Sequence, residues 1–166
     1  MDLIIAVEDP DAADVRALLD RHLTFARDQS PPEHVHARDT EAWADPDLTL
    51  FGARRDGSLM GVGAIRRLDD THAELKAMHT RAEARGQGVG QAMLAHLLRV
   101  AEARGYRRVS LETGTMDAFA PARALYRRAG FWPCAPFGPY TVNPYSICMT
   151  MALAGGLLSR ACVAGA

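Results

Sequence analysis

Apolar and polar positions follow different rhythms along the chain. Leu3, Ile4, Ile5, Ala6 and Val7 form a continuous apolar run, which predicts a short buried strand. Asp9 and Pro10 read as a helix cap and a proline at the first helical position. Val15, Leu18, Leu19, His22 and Leu23 then recur on one helix face. Residues 29–39, with Ser30, Pro31 and Pro32, read as a loop, and Asp39 or Thr40 starts a short helix running to Trp43. Residues 48–54, 59–68 and 72–80 read as strands. The pair Asp56-Gly57 is a hairpin signal between the first two, and Asp69-Asp70 turns the chain into the third. Together they predict an antiparallel meander.

Beyond Thr80 the period changes. Val89, Met93, Leu97, Val100 and Ala101 recur at helical spacing, and Gly105 sits where that helix would stop. Residues 108–113 alternate as a strand, with Val109 and Leu111 against Ser110 and Glu112. Ala122, Leu125, Tyr126 and Ala129 share the face of a helix over 121–129, closed by Gly130. Residues 131–134 and 146–153 complete the pattern as a closing pair of strands. The predicted class is α/β (α+β): a mixed, mostly antiparallel central sheet flanked by helices. A single domain is expected over 1–153, with a weakly patterned tail over 154–166.

Composition narrows the function. The chain has 166 residues, 48% apolar and 23% charged, with a formal net charge of −1. This is the profile of a globular protein and argues against a nucleic-acid binder or a membrane-surface protein. The charge is unevenly placed: residues 1–80 carry sixteen acids and nine bases, residues 81–166 four acids and ten bases. An anion is therefore expected on the second half. Cys134, Cys148 and Cys162 make no C-x-x-C pair, which predicts free thiols in a reducing cytoplasm and no metal site. The first ten residues lack the pattern of a signal peptide, and no apolar stretch is long enough for a membrane helix.

The most informative segment is Arg85-Gly86-Gln87-Gly88-Val89-Gly90, between a strand and a helix. Glycines let a backbone approach a ligand closely, and the unpaired N–H groups of a helix start attract phosphate. Arg81 and Arg85 add positive charge. A P-loop would need Gly-Lys-Ser/Thr, but Gln91 follows Gly90. A dinucleotide fingerprint would need its third glycine one position later and a preceding βαβ strand. Phosphate binding fits the segment, and those two nucleotide folds do not.

The R-x-x-G-x-G run, the strand before it and the later Ala122-Arg123-Ala124-Leu125-Tyr126-Arg127-Arg128-Ala129-Gly130-Phe131 resemble the GNAT superfamily of N-acetyltransferases. The resemblance spans most of residues 3–153 and is strongest over 73–131. It implies an acyltransferase that uses acetyl-CoA as cosubstrate, with no metal. Arg85, Gly86, Gln87, Gly88, Val89, Gly90 and Gln91 would cradle the CoA phosphates. Met78, His79 and Thr80 would pair with the pantetheine arm, and a backbone N–H there would polarise the thioester carbonyl. Tyr126 matches the tyrosine that protonates the departing thiolate; its plain alternative is a tyrosine packed at a helix end. Glu74 matches the position of a glutamate base in some members; its alternative is a solvent-facing strand residue paired with Lys76. His79 is the rival base. Many members carry Asn where this chain has Phe119, so Phe119 is expected to wall a pocket instead.

The acceptor implied is a small-molecule primary amine or amino acid. A protein lysine or N-terminus, and a non-catalytic acyl-CoA-binding module, are the alternatives. His34 and His36 have no third metal ligand at suitable spacing and read as part of an exposed loop; the alternative is substrate contact, because the superfamily often places its acceptor near this region. Phe137, Tyr140 and Tyr145 hint at a pocket for a partly apolar amine. Homodimers are common in the superfamily, and nothing in the sequence establishes one here.

Overall fold

The meander expected over residues 48–80 forms the middle of one seven-stranded sheet. The computed structural model describes residues 2–34 and 43–153. The strands are β1 (Ile4–Val7), β2 (Leu48–Arg55), β3 (Ser58–Arg67), β4 (His72–Thr80), β5 (Arg108–Gly114), β6 (Trp132–Cys134) and β7 (Ser146–Ala152). Across the sheet they run β1-β2-β3-β4-β5-β7-β6. The helices are α1 (Ala13–Gln29), α2 (Val89–Ala103) and α3 (Ala120–Ala129). The mixed α/β class read from the sequence is the class observed. The helix expected at residues 39–43 and the tail from 154 fall largely or wholly outside the described residues.

Local chemistry explains most elements. Asp56 and Gly57 both take positive φ, 51° and 79°, which is the two-residue turn that matches the twist of a hairpin. Gly130 closes α3 at φ 109°. Two expectations at the N-terminus differ. α1 starts at Ala13 behind an Ala12 cap with no side-chain hydrogen bond. Asp9 instead accepts the Asp11 N–H at 2.9 Å, so the Asp-Pro pair makes a turn ahead of the helix. β1 is not buried. It is the sheet edge, with Ile4 68% and Val7 67% exposed, because it pairs only with β2.

The sheet has two covered faces. On one, α2 and α3 bury Met93, Leu97, Tyr126 and Phe131 against Ile65, Leu75, Val109 and Met149. On the other, α1 buries Val15, Leu18 and Leu19 against Leu50, Val62 and Ala64. Among the described strands, all pairings are antiparallel except β4 with β5. That parallel pair is short, running from His72↔Arg108 to Leu75↔Leu111. Beyond it β4 continues to pair with β3, and β5 with β7, so the sheet splits open between residues 76–80 and 112–114.

Candidate active site

The split is widened by a bulge. The β3–β4 register shifts between Val62 and Ala64, which puts an extra residue of β4 opposite Gly63, and Ala77 sits at φ 53°. The bulge breaks the alternation of side chains. Ala77 packs with the α1 cluster, whereas Met78 reaches the α2 side and His79 turns back toward α1. Periodicity alone could not fix which way His79 faces, because it has no way to count a bulge.

Two cavities meet at the split. The first runs along the α2 side and is lined by Met78, His79, Thr80, Arg85, Gly86, Gly88, Val89, Gly90 and Gln91, with Leu125, Tyr126 and Arg128 from α3. Gly88 caps α2 at φ 79° and Gly86 stands at φ 75°, conformations that a side chain strains. The first internal bond of α2 runs from Ala92 N to Gly88 O at 3.0 Å. The N–H groups of Val89, Gly90 and Gln91 therefore have no helical partner and carry the positive end of the helix dipole. Arg85 and Arg128 add formal charge. This end suits a pyrophosphate, and the unpaired edge of β4 suits an extended arm.

Three side chains around that cavity differ from the sequence reading. Gln87 does not line it: its side chain accepts from Arg55 at 2.8 Å and donates to the Glu83 carbonyl at 3.1 Å. Arg81 is likewise turned away, bonded to Glu83 and to the Leu59 carbonyl. Arg128, which periodicity placed only as part of a helix motif, does line it.

The second cavity lies on the α1 side. His22, Phe25, Trp43, Lys76, Glu112, Phe119, Tyr126, Tyr140 and Tyr145 are among its walls. Tyr126, Met78, His79 and Phe25 line both cavities and so mark their junction. Tyr126 is 6% exposed, packs edge-on to Phe131, and burial pushes its phenol up, so it stays protonated at neutral pH. Phe119 stands edge-on to Phe25 with centroids 5.1 Å apart. A Cβ at Gly114 would fall 2.2 Å from the Phe119 ring, so glycine at the end of β5 is what lets Phe119 close that wall. Arg123 holds the adjoining turn through the Gly114 and Met116 carbonyls at 2.8 and 2.9 Å.

The two glutamates differ sharply. Glu74 is 1% exposed and does not line either cavity. Lys76 Nζ donates to its Oε1 at 2.8 Å, and the Tyr140 hydroxyl donates to it at 3.2 Å. It is paired with Lys76, but buried rather than facing solvent. Glu112 lines the second cavity, and burial pushes its carboxyl up to about 7, with Lys76 opposing and Glu74 adding to the rise. The sequence signal for Glu112 was a carboxylate on a strand next to a buried partner position, too common a pattern to single it out. His79 Nδ1 stands 3.3 Å from His22 Nδ1. Burial pushes both imidazoles down to about 4, helped for His22 by the His79 neighbour and for His79 by Arg85.

The remaining aromatic expectations divide. Tyr140 and Tyr145 reach the cavity, while Phe137 packs behind Tyr140 and against His72. No aspartate or glutamate of residues 1–80 is in the described wall; its carboxylate, Glu112, comes from the second half. The His34 side chain and His36 fall outside the described residues. Cys134 and Cys148 are free thiols facing each other across β6 and β7, and Cys162 is outside the description. Among the described residues no group of three or more His, Cys, Asp or Glu could hold a metal, and no helix is long and apolar enough to cross a membrane.

Comparison with known proteins agrees on one family. The model of the Acetyltransferase (GNAT) family matches residues 13–131. The uncharacterized N-acetyltransferase YsnE of Bacillus subtilis is 41% identical over 90% of this chain and 99% of its own length. An IAA acetyltransferase of Azospirillum brasilense is 36% identical over 87% of this chain and 94% of its own. In structure, a GNAT family acetyltransferase of Elizabethkingia anophelis with acetyl-CoA bound superposes with TM-score 0.66 over 91% of this chain and 98% of that one, at 19% identity.

Proposed function

Because this chain belongs to the Acetyltransferase (GNAT) family, we propose that it transfers the acetyl group of acetyl-CoA to the primary amine of a small molecule. The observation that carries the reading is the junction at Tyr126: a phosphate-suited cavity and a second cavity with several aromatic walls meet where the sheet splits.

In this reading the N–H groups of Val89, Gly90 and Gln91, with Arg85 and Arg128, hold the pyrophosphate. Residues 78–80 pair with the pantetheine arm as an added strand would. A backbone N–H of that segment polarises the thioester carbonyl, a contribution of order 10²–10³ in rate.

Glu112 is the base. A carboxyl titrating near 7 can take the proton from an ammonium at neutral pH and still be ionised often enough to do so. Glu74 is unsuited because Lys76 and Tyr140 occupy it. An imidazole titrating near 4, as at His79, is a weak proton acceptor. The amine nitrogen, once neutral, attacks the acetyl carbon. The carbon–sulfur bond breaks with its electrons on sulfur, and Tyr126 gives its phenolic proton to that thiolate. The products are an N-acetyl amine and free CoA.

A thiol-release assay with acetyl-CoA tests this against a panel of small primary amines, lysine peptides and N-terminal peptides. Release that depends on a small amine is expected. Release only with the peptides would move the reading to protein acetylation. CoA binding without release by any amine would leave a binding module.

A further inference from the structure

The turn that leads into α2 has little support of its own. Gly86 and Gly88 both take positive φ, and a Cβ on either would meet nothing within 4 Å. Among the described residues, the N–H groups of Gly86, Gln87 and Gly88 donate to no backbone carbonyl. Glycine has the most backbone freedom to lose, so a turn with two of them is hard to hold in one shape. Its two ends are nevertheless fixed to the β2–β3 hairpin. Before it, Arg81 N donates to the Met60 carbonyl at 2.9 Å and Arg81 Nη1 to the Leu59 carbonyl at 3.3 Å. After it, Val89 is 2% exposed and packs so closely on β3 that a Cβ at Gly61 would fall 2.9 Å from its side chain.

Between those ends, Gln87 ties the middle of the turn down. Its Nε2 donates to the Glu83 carbonyl at 3.1 Å, and its Oε1 accepts from Arg55 Nη1 at 2.8 Å. Arg55 is the last residue of β2 and pairs with Ser58 across the hairpin. The hairpin thus grips the turn at its middle as well as at both ends. Neither Arg55 nor Gln87 lines the α2-side cavity, whereas Gly86 and Gly88 do.

We infer that Arg55 and Gln87 are positioning residues for the CoA pyrophosphate. Their hydrogen bond keeps the 86–88 backbone in the shape that a phosphate meets at the start of α2. This rests on the acetyl-CoA reading above and goes further by naming what preorganises the site. A turn already ordered loses less freedom when the ligand arrives. Without the brace, a smaller fraction of the turn is competent, and the apparent affinity falls by that fraction. The rival account is that the Arg55 charge attracts the phosphates directly.

The test is calorimetric titration of the whole chain with CoA and with dephospho-CoA, which keeps the pyrophosphate and lacks the 3′-phosphate. Arg55→Met and Gln87→Met are each expected to raise Kd for CoA about 3- to 10-fold, the worth of one hydrogen bond. The double variant is expected to bind no more weakly than the weaker single, because both substitutions remove the same bond. The loss is expected to be equal for dephospho-CoA. Melting temperature is expected to move by about 2 °C or less, as for surface changes. Unchanged Kd in both single variants overturns the inference. So does an Arg55→Met effect that is undiminished in the Gln87→Met background, or one that vanishes with dephospho-CoA, since either makes Arg55 a direct charge contact. A larger fall in melting temperature in step with the lost affinity would make the effect one of general stability, and also overturns it. If the parent itself binds no CoA, the acetyl-CoA reading falls with it.

Discussion

Glu74 and Lys76, two positions apart on β4, form a buried ion pair at 2.8 Å, with side chains 2% and 11% exposed. Tyr140, from the loop between β6 and β7, bridges the pair by accepting from Lys76 and donating to Glu74. The pair fixes the cleft in two ways. It ties the aromatic loop to β4, and it leaves Glu112 as the carboxylate facing the cavity.

Glu74→Gln therefore removes a structural partner. Taking one member from a buried ion pair costs about 3–5 kcal/mol. Urea unfolding at pH 7.5 is expected to show a loss of that order. The acid limb of the activity profile persists in the variant but moves to lower pH, because Glu74 raises the Glu112 carboxyl and its loss frees Lys76 to lower it.

Tyr126→Phe is expected to lower kcat by about 10²–10⁴, the usual worth of a general acid. CoA affinity, read by calorimetry, is expected to stay unchanged, since the phosphate end of the cleft uses the α2 N–H groups, Arg85 and Arg128 rather than the Tyr126 hydroxyl. Unchanged kcat would remove Tyr126 from the mechanism.

Gly114→Ala places a methyl where the Phe119 ring lies, 2.2 Å from its nearest atom. Overpacking of this kind costs about 1–3 kcal/mol. The ring is displaced from the acceptor wall, so KM for the amine rises more than KM for acetyl-CoA. Equal changes in the two would show that Phe119 serves only packing.

Glu112→Gln affects stability with a definite sign. The folded protein holds the Glu112 proton more tightly than the unfolded chain does, about 7 against an ordinary 4.5. Its ionised form therefore costs stability above about pH 7, and that cost vanishes below about 4.5. The variant is expected to be about 2–3 kcal/mol more stable than the parent at pH 8 and close to it at pH 4. Paired urea unfolding curves at the two pH values read the difference.

The elements were legible where local chemistry dominates. Asp56-Gly57 dictated a hairpin, Gly130 a helix stop, and the glycine run a helix start with free N–H groups. The α2-side cavity was legible where one segment supplies much of its lining, as in the turn at 85–91. It was not legible where parts from distant segments converge. Glu74 and Glu112 are both strand glutamates in sequence, and only the loop carrying Tyr140 distinguishes them. The Ala77 bulge was invisible because alternation assumes an unbroken ladder. β1 read as buried because an apolar run looks the same at an edge as in the middle of a sheet. The unequal charge of the two halves gave no sign of the carboxylate in the second cavity, which belongs to β5.

The most direct test of the central claim is the pH dependence of kcat/KM for an accepted amine, in the parent and in Glu112→Gln. The parent is expected to lose activity as pH falls through about 7, where Glu112 takes up its proton. The variant is expected to be about 10²–10⁴ slower at pH 8 and to lack that limb. The same limb at the same pH in Glu112→Gln, with little loss of rate, would contradict the assignment of Glu112 as the base.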